Sequence, residues 1–128
     1  MLCSFDLRIE PGVTLQHDWR SDWTGRRVGA RVKFNDKGEV SVANDDKPLM
    51  TVPQSEWFHV EIDGALGRAA AVPATYSLAI TVPGQETKRF ENLPCLYKRF
   101  RSVERCWFMA PGKVNAAYYL DNLKIETK

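Results

Sequence analysis

No apolar run in this chain is long enough to cross a membrane. The longest are short stretches such as Ala69–Val72, against the ~20 residues a spanning helix needs. Histidine is scarce, with only His17 and His59, so no Cys/His cluster at zinc spacing can be drawn. Cysteine is sparse and odd in number: Cys3, Cys95 and Cys106. That excludes the paired framework of a small disulfide-stapled fold. A Cys95–Cys106 bridge is within reach of the ten intervening residues, but three buried thiols acting as small hydrophobes is the simpler reading. Glycines occur singly at turns, which excludes a phosphate-cradling loop. Neither sign of charge dominates: 18 basic against 16 acidic residues leave +2. That balance argues against a nucleic-acid or anionic-membrane partner. The opening stretch carries Asp6, Arg8 and Glu10 and does not read as a signal peptide.

What is present is period two. The 128 residues suit one domain, and 44% hydrophobic with 27% charged residues is ordinary for a packed one. Cys3, Phe5, Leu7 and Ile9 alternate with Ser4, Asp6, Arg8 and Glu10, a half-buried strand. The same alternation runs through Val13–Trp19, Val28–Phe34, Trp57–Ile62 and Tyr76–Val82. Shorter strands are expected around Val40–Val42, Leu49–Val52 and Arg89–Glu91, and two more over Val103–Met109 and Ala117–Ile125. Turn signals separate them: Pro11-Gly12, Asn35-Asp36-Lys37-Gly38, Pro83-Gly84 and Pro111-Gly112. No ten-residue helix is supported, because Gly67 and Pro73 bracket the alanine run too closely. The pattern is all-β, an antiparallel sandwich or barrel, and the expectation carried forward is one sandwich domain over residues 1–128.

Two segments carry a family resemblance. Ser55-Glu56-Trp57-Phe58-His59-Val60-Glu61-Ile62 resembles the W-h-H-v-x-h strand of laminin G-like, concanavalin A-like jelly rolls. Tyr118-Tyr119-Leu120-Asp121-Asn122-Leu123-Lys124-Ile125 looks like the closing Y-h-D-N-h-x-h strand of such modules and of jelly-roll carbohydrate-binding modules. The resemblance implies a jelly-roll accessory module of a bacterial carbohydrate-active enzyme, with an exported parent protein. It also implies a structural Ca²⁺ between first and last strands, with Asp121 as one ligand. Asp6 or Glu10 on the first strand would be its partner.

The functional expectation that follows is non-catalytic binding of a polysaccharide or oligosaccharide. Sugars offer C–H faces to aromatic rings and hydroxyls to Asp, Asn, Gln and Arg. The densest such cluster is His17-Asp18-Trp19-Arg20-Ser21-Asp22-Trp23 with Arg26 following. Trp23 and Trp19 are the expected stacking platforms, and Asp18, Arg20, Asp22 and Arg26 the hydroxyl partners. Tyr97, among Lys98, Arg99 and Arg101, is a second candidate. Trp57 and Trp107 are expected in the core or between sheets. Glu61-Ile62-Asp63 resembles part of a glycosidase carboxylate row, but Leu66 stands where the acid/base would be, so hydrolysis there is not expected. The alternative reading is a structural or protein-interaction sandwich that braces other domains of a larger enzyme or surface protein.

Overall fold

A computed structural model describes residues 1–22, 24–111 and 115–127. Among these residues ten strands follow one another: β1 (Leu2–Ile9), β2 (Leu15–Arg20), β3 (Val28–Phe34), β4 (Glu39–Val42) and β5 (Met50–Thr51), then β6 (Phe58–Gly64), β7 (Thr75–Thr81), β8 (Lys88–Pro94), β9 (Arg105–Met109) and β10 (Tyr118–Glu126). Among the described residues the helical content is one 3₁₀ turn, Gly67–Ala69. The strands form two five-stranded antiparallel sheets, ordered β10-β1-β6-β7-β8 and β5-β4-β3-β2-β9. The architecture is a β-sandwich.

Alternation explains the packing. In β1 every second residue is buried, from Cys3 through Phe5 and Leu7 to Ile9, and β6 repeats the pattern with Phe58, Val60 and Ile62. These side chains interdigitate with Leu15, Trp19, Val32 and Phe34 of the opposing sheet in one core. Rings pack across the gap: Phe5 meets His17 and Phe108 edge-on, each at 5.1 Å between centroids. Phe34 lies 5.8 Å from Phe58.

Two glycines mark where backbone and ring come closest. A Cβ on Gly29 would stand 2.4 Å from the Phe100 ring. One on Gly64 would stand 3.1 Å from Trp19 Cζ3. Gly64 is the last residue of β6.

The aromatic placement corrects two expectations. Trp57 precedes β6 on the His59–Glu61 side and is 40% exposed. Trp107 is half-buried in edge strand β9, with the Arg20 guanidinium 4.1 Å above its ring. Both residues stand on alternation positions that point away from the core, and that outweighs the tendency of tryptophan to be interior.

Candidate functional site

The outer face of the β10-β1-β6 region is built by register. Arg8 pairs with Tyr119 across β1–β10. Leu7 pairs with Phe58 across β1–β6, so antiparallel continuation sets Arg8 beside Trp57 on its other flank. The result is one row, Trp57–Arg8–Tyr119, lining a shallow concavity of about 220 Å³. Tyr119 is 49% exposed, and the Arg8 guanidinium sits 6.0 Å from its ring centroid. The aromatic pair spans two strand spacings, about 10 Å.

The next row is polar. Asp6 pairs with His59 on one side and Asp121 on the other. His59 Nδ1 lies 2.7 Å from Asp6 Oδ1, and His59 Nε2 lies 3.3 Å from Glu61 Oε1. Asn122 donates from Nδ2 to Asp6 Oδ2 at 2.7 Å. Asn122 is the extra residue of a bulge between Ser4 and Asp6, at φ 53°, a left-handed conformation asparagine tolerates. The Asn122 hydrogen bond, reinforced by His59, holds the Asp6 carboxyl below the usual carboxylate range. At the far end Ser55 donates to Glu10 at 2.6 Å and Arg8 at 2.8 Å. The Ser55 bond, then the Arg8 bond, lowers the Glu10 carboxyl too.

The residues expected to hold Ca²⁺ all lie on this face. Asp6 and Asp121 stand opposite one another. Glu10 is four residues further along, roughly 13 Å, and is engaged by Ser55 and Arg8. Both Asp6 oxygens already accept hydrogen bonds. Among the described residues no group of three or more His, Cys, Asp or Glu side chains could hold a metal.

The cluster expected around β2 is divided by the strand itself. Trp19 points inward and is 1% exposed, so it offers no ring face to a sugar. Asp18 points outward yet is also buried, beneath two arginines. Arg20 donates to it from Nε and Nη2 at 3.0 and 2.8 Å, and Arg31 from Nε and Nη2 at 2.9 and 3.0 Å. Burial pushes the Asp18 carboxyl up, but the hydrogen bonds from Arg31 and Arg20 outweigh it and leave it ionised below its ordinary range. Asp18 thus spends its acceptors internally, and Arg20 is spent between Asp18 and the Trp107 ring. Asp22 shapes its own loop: its carboxylate accepts from Thr24, Gly25 N–H and Arg27 N–H. Arg26 is exposed on that loop. Trp23 lies outside the described residues.

The second candidate group does meet the first. Tyr97 N–H donates to the Val28 carbonyl at 2.7 Å, which brings residues 97–101 beside the 21–27 loop. Arg27 sits 5.6 Å over the Tyr97 ring. Between them is a cavity of about 410 Å³ lined by Ser21, Arg27, Val72, Tyr97, Arg99 and Arg101 among others.

Sequence reasoning missed Trp57, Tyr119 and Arg8 as one unit. Alternation gave each residue its face, but only strand pairing makes residues 8, 57 and 119 neighbours. Comparison with protein-family models, curated proteins and solved structures finds no match, so the functional reading rests on the geometry of these two sheets.

Proposed function

We propose that the chain is a non-catalytic carbohydrate-binding module of the laminin G-like, concanavalin A-like jelly-roll kind, with its site on the Trp57–Arg8–Tyr119 row. The observation that carries this reading is the pair of exposed aromatic rings flanking an arginine on a strand face. Such rings lose little on stacking against sugar C–H faces, because they are already ordered by the sheet. Their separation suits a disaccharide. Arg8 and the Asp6–His59–Asn122 row beside it supply donors and acceptors for hydroxyls. The site is shallow, so affinity is modest.

The test is retention on insoluble polysaccharides and a glycan array. We expect the wild-type chain to bind and Trp57→Ala and Tyr119→Ala each to weaken binding about tenfold. Folded protein retained by no glycan, or binding indifferent to both substitutions, overturns the reading.

A second reading, a bracing or protein-interaction module, is favoured by one observation. β10 is an edge strand, and Leu120, Leu123 and Ile125 are exposed along it. If that reading holds, Leu123→Lys abolishes association with a parent protein's other domains while Trp57→Ala leaves it intact.

A further inference from the structure

We propose that Cys3 and Cys106 join as a disulfide between the two sheets when the protein meets a disulfide oxidant, pinning edge strand β9 to β1. Both cysteines occupy inward-facing alternation positions, Cys3 on β1 and Cys106 on β9. Their thiols are near enough for each to shift the other's acidity. The rings two residues further along follow the same alignment: Phe5 and Phe108 meet at 5.1 Å. A two-residue step along each strand therefore leads from one facing pair to the next, and the cysteines are that next pair. Among the described residues β9 has a neighbour on one side only, β2, and its residues are half-buried throughout, so it is held less tightly than a central strand.

The pair is asymmetric in a way that suits exchange. Cys3 is sealed in the core, whereas Cys106 is partly exposed. The neighbouring Cys3 thiol makes the Cys106 thiol more acidic, and Cys106 together with burial makes Cys3 less so. Attack therefore starts at Cys106, whose thiolate displaces one glutathione thiolate from oxidised glutathione. The Cys3 sulfur, losing its proton, then displaces the second glutathione from Cys106. The balance is two protein thiols and one oxidised glutathione giving one protein disulfide and two reduced glutathiones. Cys95 stays outside this chemistry. Its N–H bonds the Ala74 carbonyl, and burial pushes its thiol up to about 11.

The experiment equilibrates the reduced full chain with oxidised and reduced glutathione at pH 8. It is then quenched in acid, denatured, alkylated and weighed. We expect the wild type to pass from three free thiols to one, and Cys95→Ala from two to none. Cys3→Ala and Cys106→Ala should each keep two. The peptide map should show Cys3 linked to Cys106. Because the bridge closes most of the chain into one loop, the oxidised form should melt on the order of 10 °C higher, reversibly with dithiothreitol. Three thiols persisting at every ratio, Cys95 in the bridge, a stable glutathione adduct at Cys106 beside a free Cys3, or an unchanged or lower melting point each overturns the proposal. Should Cys3→Ala not fold, the Cys95→Ala count and the peptide map still decide.

Discussion

His17 donates from Nδ1 to the Trp107 carbonyl at 2.9 Å, and among the described residues its buried Nε2 has no hydrogen-bond partner. The carbonyl can only accept, so the ring is neutral with its proton on Nδ1. Phe5 and Phe108 wall the ring in at 5.1 and 4.3 Å. Burial lowers the His17 pKa to about 4, against smaller opposing pulls from the Trp107 carbonyl and Asp18.

That arrangement makes stability acid-sensitive. Unfolded, His17 titrates near its ordinary value of about 6.5. Between there and about 4 the unfolded chain holds a proton that the folded chain lacks. Its contribution is therefore intact above about pH 6.5 and falls by up to about 1.4 kcal/mol per pH unit below it. Urea unfolding at pH 7.5 and pH 5 should show a loss of about 2 kcal/mol in the wild type that is absent from His17→Phe. The carboxylates with lowered pKa values, such as Asp18, lose their contribution only at still lower pH.

Gly29 tolerates no side chain. Its Cβ would fall inside the Phe100 ring contact distance at 2.4 Å, and that ring is buried. Gly29→Ala should cost about 3 kcal/mol in chemical denaturation. Pairing it with Phe100→Ala should cost less than the sum of the two single changes, a coupling that a double-mutant cycle reads directly.

Asp18 is a buried anion answered by two guanidinium groups. Removing it by Asp18→Ala leaves Arg20 and Arg31 facing each other without a counter-charge, so the loss should reach about 3–5 kcal/mol. Lys33→Ala, which breaks an ion pair to the exposed Asp46, should change stability by under about 1 kcal/mol. Denaturant midpoints compared across the two variants check the contrast.

Trp57→Ala and Tyr119→Ala remove rings that stand largely outside the core. Each should shift stability by about 1 kcal/mol or less. Thermal melts alongside the glycan measurements would then separate loss of binding from loss of fold. A melt lowered as far as that of a core deletion would mean the rings serve packing instead.

The strands were legible because period-two alternation is a local signal. Val28–Phe34 is observed over the expected residues, and Tyr76–Val82 appears as Thr75–Thr81. The same alternation already separated Trp57, His59 and Glu61 from Phe58, Val60 and Ile62, and expecting Trp57 in the core set residue type above position. What lay beyond reach was non-local. Nothing in the sequence states that Cys106 faces Cys3 rather than Cys95, or that Arg8 stands between two rings 49 and 111 residues further along the chain. Nor does polarity alone reveal that Asp18 and Arg20, on the outer face of their sheet, bury and satisfy one another.

The pairing of β1 with β10 sets an order of events during synthesis. β1 emerges first, yet one of its two hydrogen-bonded edges waits for residues 118–126. Until they arrive, Arg8 has only Trp57 beside it, and the Asp6 row lacks Asn122. A nascent or truncated chain can complete β6–β7 and β2–β3 pairing and still present half a surface. If the row binds glycan as proposed, retention on that glycan would report that a chain has closed its longest-range contact, the slowest kind to form.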